Sequence, residues 1–405
     1  MIYLPEAQID ISSYYYLSFS MKQIKLFFFL FLLFSHPYLS AQNLFQKYFI
    51  DSTDHAVDVS NFLNAGFGFL PVPIIITEPA VGFGGGLTAI YFHGKKKKRD
   101  TLDTLNRFAQ SKDLPPITTG AAGAYTANGT WLAAVFHQGS YHNDRFRYLG
   151  AFAYLSPNLT FYGSGIIDDG EYSFNMQGIM TFHEFLFRPK KDLPLFTGIN
   201  YLFFNNNITF IDNEPETEPL KEETNLGGMN VVLMWDNRNN TFTPTKGIMT
   251  ATEFGTFNKA LGGDNDYSNF THRTYYYLPI KKEKLFSGYR LQYQTKWGNN
   301  VPFFELPFVN LRGIPALRYQ DHNALVLETE WRWQMFKRWS AVGFVGTGFT
   351  APKIQDFDFT QSRIAGGFGF RYFIASDYGL HAGIDIARGP EIWAWYLTVG
   401  SNWFR

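Results

Sequence analysis

The chain has 405 residues, 45% hydrophobic and 19% aromatic, with 17% charged against an average of roughly 25%. Thirty-five Lys and Arg balance 35 Asp and Glu, which leaves no electrostatic footprint for a nucleic acid. A mean hydropathy of −0.17, with no apolar run of about 18 residues past the N-terminus, excludes a helical membrane bundle; 43 Phe, 24 Tyr, 9 Trp and 36 Gly without a Cys suit a transmembrane β-barrel.

In chain order, Met21-Lys22-Gln23-Ile24-Lys25 is a basic start, 26–34 is an apolar run too short to span, and Leu39-Ser40-Ala41 is a cleavage pattern. Residues 21–41 read as a signal peptide cleaved after Ala41, and residues 1–20 as an upstream mis-start. Residues 42–70 are expected to form a short periplasmic segment, with Phe45, Phe49, Val57, Val59, Phe62 and Leu63 in a small amphipathic piece. Cores below about 40 residues seldom fold unaided, so this is no separate domain.

From Pro71 to the C-terminus, residues 71–405, the hydrophobic period is two. Tyr289, Leu291, Tyr293, Thr295 and Trp297 alternate with Arg290, Gln292, Gln294 and Lys296. Leu325, Leu327, Thr329, Trp331, Trp333 and Met335 oppose Glu328, Glu330, Arg332 and Gln334. Leu380, Ala382, Ile384 and Ile386 oppose His381, Gly383 and Asp385. Apolar-out and polar-in is the barrel pattern, because lipid meets one face and a wet lumen the other.

The alternation predicts sixteen antiparallel strands, at 71–78, 81–93, 117–127, 130–141, 144–156, 171–186, 195–205, 225–236, 247–257, 267–279, 284–297, 322–335, 338–349, 363–374, 378–387 and 391–404. With the N-terminus periplasmic, the connections 95–116, 142–143, 188–193, 237–246, 280–284, 336–337 and 375–378 become periplasmic turns. The outer loops include 157–170, 206–224, 258–266, 298–321 and 350–362. Lys95–Lys98, Arg99, Lys190, Lys191, Lys281, Lys282 and Lys284 then fall on the inner side, and the acidic run Asp212 to Glu223 on the outer.

Catalytic signatures are missing. No G-x-S-x-G occurs, His183-Glu184 lacks a second His at zincin spacing, and Gly82-Phe83-Gly84-Gly85-Gly86 completes no dinucleotide fingerprint. His381 with Asp385 on one face is the nearest candidate and reads as lumen lining. The sequence therefore points to no enzyme, metal site or cofactor.

Four features carry a family resemblance. Asp236-Asn237-Arg238-Asn239-Asn240, with Phe242, Pro244 and Lys246-Gly247, is similar to a D-x-R-x-x…F-x-P-x-x-G turn. Leu311-Arg312-Gly313-Ile314 is similar to a V/I-R-G-F/Y loop motif between strands eleven and twelve. Gly367-Phe368-Gly369-Phe370-Arg371 is similar to a G-x-G-x-R strand. The chain ends in Trp393, Trp395, Leu397, Val399 and Trp403-Phe404, similar to the C-terminal signal of outer-membrane barrels. Together they resemble the BamA/TamA/FhaC outer-membrane assembly superfamily, the bacterial surface antigen family. Two departures stand out. The family's F-x-D-x-G strand reads Phe344-Val345-Gly346-Thr347-Gly348, and 42–70 leaves no room for a POTRA domain.

The resemblance implies an integral outer-membrane barrel that inserts or exports polypeptides through a weak seam between its first and last strands. Pro71, Pro73 and Pro79 would shorten pairing at that seam. Two other readings are a passive pore or transporter and a structural barrel docking a partner. The expected partners are outer-membrane lipids, other outer-membrane proteins or a separate periplasmic protein. The connection of about 25 residues before strand twelve is long for a structureless loop. Its apolar flanks, Val301-Pro302-Phe303-Phe304 and Leu306-Pro307-Phe308-Val309, favour folding into the lumen with Leu311-Arg312-Gly313 at the tip. A buried guanidinium needs carboxylates. With Gly346 in place of the family's strand-thirteen acid, Arg312 is expected to pair first with Glu330 and second with Glu328, and Arg371 to line the same cavity.

Overall fold

The computed structural model describes residues 38–65, 69–93, 117–162, 171–211, 221–298, 300–401 and 403. Residues 1–37, the basic run 95–99, most of the acidic run 212–223 and Phe404 lie outside the described residues.

Period-two alternation folds as a single antiparallel barrel, closed apart from its first-to-last seam. The strands are β1 (Phe69–Ile76), β2 (Gly84–His93), β3 (Ile117–Thr126), β4 (Trp131–Tyr141), β5 (Phe146–Ser156, continued by Asn158–Tyr162), β6 (Glu171–Phe187), β7 (Leu195–Ile211), β8 (Lys221–Asp236), β9 (Gly247–Phe257), β10 (Tyr267–Lys281), β11 (Leu285–Gly298), β12 (Asn323–Gln334), β13 (Trp339–Ala351), β14 (Arg363–Ala375), β15 (Leu380–Arg388) and β16 (Trp393–Val399). Pro157 divides β5, since proline has no N–H for the ladder, and both pieces pair with β6. Each strand pairs antiparallel with the next. β1 and β16 have Cα atoms within 8 Å of each other but share no paired register among the described residues.

The wall sorts side chains as the alternation requires. On β12, Leu327, Trp331 and Trp333 face out, while Glu328 and Arg332 are buried inside. On β16, Trp393, Trp395, Leu397 and Val399 are exposed and Ala394, Tyr396 and Thr398 are buried. A soluble protein would not leave so long an apolar band uncovered, and the fold is that of a transmembrane β-barrel.

The expected boundaries move most in three places. β7 runs on to Ile211 and β8 begins at Lys221, with Asn207↔Glu223 and Thr209↔Lys221 in register where a loop at 206–224 was expected. The polar run Asn205–Asn207 hides the apolar period there, but Asn205 bonds Asn225 at 2.7 Å and Asn206 bonds the Thr224 carbonyl at 3.0 Å. β5 resumes at Asn158, inside the expected loop 157–170. The last strand stops at Val399 instead of continuing to 404. Gly400, with φ +81°, turns the chain inward, and Trp403 is buried across the lumen, its ring centroid 5.8 Å from Tyr275 and 5.6 Å from Tyr277 of β10.

The segment before the barrel holds two helices, α1 (Tyr38–Phe49) and α2 (Ser60–Asn64). Helix α1 runs across the cleavage point expected after Ala41. Stacking of Phe49 on Phe45 at 5.3 Å and on Phe62 at 4.8 Å joins the helices. The piece is too small for a core of its own, and it docks on the barrel rim where the short turns lie. The Val59 N–H donates to the Ile374 carbonyl at 2.8 Å, and Asn64 bonds Asp377 at 2.7 Å and Tyr378 at 2.9 Å.

Candidate functional site: the inward loop and its arginine cluster

The connection between β11 and β12 doubles back on itself. The Val309 N–H donates to the Tyr319 carbonyl at 2.9 Å and the Asp321 N–H to the Pro307 carbonyl at 3.0 Å. Its two flanks reach different parts of the wall. Phe303 packs on Phe161, Phe174 and Phe210 of β5–β7 at 5.0, 5.1 and 5.7 Å. Val309, Leu311 and Ile314 form a buried cluster with Val326 of β12 and Ala365 of β14. The loop is thus held by apolar contacts inside the barrel, as its flanking residues require.

Its tip places a charge among carboxylates. The Arg312 side chain is 3% exposed. Its guanidinium donates to Asp385 at 2.7 Å and to Glu328 at 2.8 and 3.3 Å, with Glu330 Oε2 a further 2.8 Å away. The Glu330 oxygen lies off the N–H directions, so Glu330 is an ion-pair neighbour and Glu328 and Asp385 are the hydrogen-bond acceptors. The guanidinium carbon also sits 3.4 Å from the Phe344 ring centre. Four interactions of this kind offset the cost of removing a cation from water.

Two wall arginines complete the network. Arg290, directly opposite Glu328 in the β11–β12 register, bonds Glu328 at 3.1 Å and the loop's Asn310 carbonyl at 3.1 Å. Arg371 holds Asp385 bidentately, with one contact at 2.9 Å, and lies 4.0 Å from Glu330. Gly313, at φ +92°, lets the tip touch the backbone at Arg388 and Gly389, and its N–H donates to the Tyr396 hydroxyl at 2.8 Å. At the loop's outer end Arg318 bonds Glu391 at 2.7 Å; that hydrogen bond holds the Glu391 carboxyl below the usual range.

The expected partners of Arg312 are all present, in a different order and with one addition. Glu328 outranks Glu330 as an acceptor, and Asp385, which the sequence offered only beside His381, replaces the acid absent from β13. Two glycines make room for this. A side chain at Gly369, directly opposite Asp385, would collide with its carboxylate. A Cβ at Gly346 would stand 2.6 Å from the Leu311 side chain and 3.0 Å from the Leu327 carbonyl, so the space where the family carries an acid is taken by the loop. The Gly-x-Gly-x-Arg pattern signalled this arrangement: small residues inward, then an arginine diagonal to Asp385.

The turn from β8 to β9 is built from its own side chains. Asp236 is held by Arg238 at 2.8 and 3.0 Å and by Arg147 of β5 at 3.0 Å. Asn239 accepts the N–H groups of Thr245 and Lys246 at 3.0 Å each, Asn240 those of Phe242 and Thr243 at 2.7 Å each, and Gly247 closes the turn at φ +107°. The turn folds across the barrel mouth. Asn240 donates to the Tyr378 carbonyl at 3.0 Å, the His381 N–H to Thr243 at 3.3 Å, and Pro244 lines the cavity beneath. Of the expected C-terminal pair, Trp403 sits in this cavity's wall and Phe404 is outside the described residues.

Sequence reading missed a second arginine centre. Arg338, in the turn between β12 and β13, binds Asp54 at 2.6 and 3.0 Å, Asp51 at 2.8 Å and Asp58 at 2.8 Å. It also donates to the carbonyls of Val57 and Phe373, at 3.3 and 3.1 Å. Burial alone would raise the Asp58 carboxyl, but hydrogen bonds from Ser60, Ser376 and Arg338 hold it below the usual carboxylate range. The spacing Asp51-x-x-Asp54-x-x-x-Asp58 was the available signal.

Residues 197–310 match the Omp85 superfamily domain. The fold is similar to BamA from Haemophilus ducreyi lacking POTRA domains 1–3, with a TM-score of 0.53 and 11% identity over 89% of this chain and 77% of that one. It is also similar to CdiB from Escherichia coli, with a TM-score of 0.52 and 9% identity over 82% of this chain and 62% of that one. For CdiB from Acinetobacter baumannii the values are 0.50 and 8%, over 82% and 59%. The chain therefore spans about three-fifths of the two CdiB chains. No curated protein matches it in sequence.

Proposed function

We propose that this chain is an Omp85-type outer-membrane barrel that inserts or exports polypeptides, acting through the seam between β1 and β16. The observation that carries the reading is the Arg312 network, which fastens the loop tip to β12, β15 and β16 beside the strand pair that lacks a shared register. Pro71 and Pro73 support it. Alternate residues aim their N–H groups at the same edge of a strand, so both prolines remove donors from one edge of β1. The short turns and the docked helices face the periplasm, the long loops face outward, and the mature chain begins near Gln42.

A passive pore fits less well, because the loop packs against Phe161, Phe174 and Ile208 of the wall and the 237–246 turn reaches across to Tyr378. Depletion followed by outer-membrane proteomics tests the proposal. Loss of many barrels or of an exported polypeptide supports it, and an unchanged profile with steady conductance in planar bilayers favours the pore. Cysteine pairs scanned along 69–76 and 393–399 test the seam: full activity with the strands locked removes lateral opening from the account. N-terminal mapping with membrane fractionation tests the start and the location.

A further inference from the structure

Under the 237–246 turn lies a cavity of about 30 Å³, more than the ~10–15 Å³ one water needs. Its wall includes Arg332, Ser287, Trp403, Arg371 and Glu330. Most lumen arginines are paired, but Arg332 is different. It is 8% exposed, stacks 5.0 Å from the Phe286 ring centre, and among the described residues has no hydrogen-bond acceptor and no carboxylate at ion-pair distance, Glu330 acting on it only at longer range. Glu330, two residues away on the same inner face, is turned to Arg312 at 2.8 Å. Among the described residues, Arg290, Arg312, Arg332 and Arg371 thus meet three carboxylates in this part of the lumen, Glu328, Glu330 and Asp385, and Arg332 is the one without an ion pair.

One acceptor in this wall, Glu330 Oε2, also lacks a hydrogen bond, but it is ion-paired to Arg312 at 2.8 Å; the remaining unsatisfied groups can all donate. The Ser287 hydroxyl and the Trp403 indole N–H are buried without partners among the described residues. An indole N–H and a guanidinium only donate, and a hydroxyl can donate, so the missing counterpart is an acceptor. Buried donors left unmade are costly, and a buried unpaired cation more so.

We infer that this cavity is a site for a small oxyanion, a carboxylate or phosphate group held by Arg332, Ser287 and Trp403. The planar guanidinium fork matches either group in two-point contact, and the space admits one such group. The inference is independent of the assembly reading, since any barrel with this wall would have the same surplus.

The test uses the full barrel in detergent with formate and inorganic phosphate as probes, at ionic strength matched with a bulky sulfonate salt. The expected result is a saturable rise in unfolding temperature for one or both probes, as for any ligand that binds only the folded state. Arg332→Met should weaken the apparent affinity about tenfold or more, as loss of a charged hydrogen bond does. Ser287→Ala and Trp403→Phe, which keep the packing, should each weaken it by a smaller factor, and they hold the test open if Arg332→Met does not fold. A response to phosphate alone assigns a phosphate group, and one to formate alone a carboxylate. A non-saturating rise that is the same in all variants, or no rise, means that the cavity holds water only and overturns the inference.

Discussion

Removing Arg312 tests whether the loop is anchored by charge. In Arg312→Ala the donor to Asp385 at 2.7 Å and to Glu328 at 2.8 Å is lost, together with the ion pair to Glu330 at 2.8 Å. Breaking a buried pair by deleting one partner costs about 3–5 kcal/mol. Two of the three carboxylates keep a partner, because Arg290 still reaches Glu328 at 3.1 Å and Arg371 still reaches Asp385 at 2.9 Å. Glu330 retains Arg371 at 4.0 Å and the longer-range charge of Arg332. The loss should therefore fall at the lower end, about 3 kcal/mol, several times the ~1 kcal/mol or less of a surface pair. Heat-modifiability gels and urea unfolding read it as earlier loss of the compact form. Adding Glu330→Ala to Arg312→Ala should cost little more, since that change removes the stranded charge. A silent Arg312→Ala, or a double variant whose loss equals the sum of the singles, would refute the anchor.

The remaining predictions concern packing and pH. Gly346→Asp, which places an acid at the β13 position, should destabilise the barrel by about 1–3 kcal/mol through collision with Leu311, and Leu311→Ala should relieve part of that loss in urea melts. Trp403→Ala empties the space against Tyr275 and Tyr277 and should cost about 3–5 kcal/mol in the same assay; a neutral result would mean that the C-terminal turn packs loosely. Asp58 is held below its ordinary value of about 3.9, so its contribution to docking residues 38–65 is present above that value and lost as pH falls through the depressed one. Hydrogen exchange or limited proteolysis should find the segment protected at neutral pH and released in acid, and Arg338→Gln should release it at neutral pH; equal protection throughout would contradict the clasp.

The barrel itself was legible in the sequence, because a wall between lipid and water imposes a strict two-residue period. β9, β10 and β12 appear within two residues of the spans that Leu, Trp and Tyr alternation predicted. That period fades where lipid ends, which is why β7 and β8 extend past their expected limits through Asn205–Asn207 and Thr224. The packing of the loop's apolar flanks against wall residues was legible too, since they are poor neighbours for water. Glu328 and Glu330 were legible as partners of Arg312, but their order and the part played by Asp385 were not. Inward parity placed Arg290, Glu328, Glu330, Arg371 and Asp385 on the lumen side, but which of them meet depends on strand register and on the space left at Gly346 and Gly369. Only the folded structure decides those distances. The same holds for the Arg338 clasp, whose three aspartates lie about 280 residues away in sequence, and for Trp403. Its aromatic character marked a strand end, and the left-handed turn at Gly400 put it inside the barrel instead.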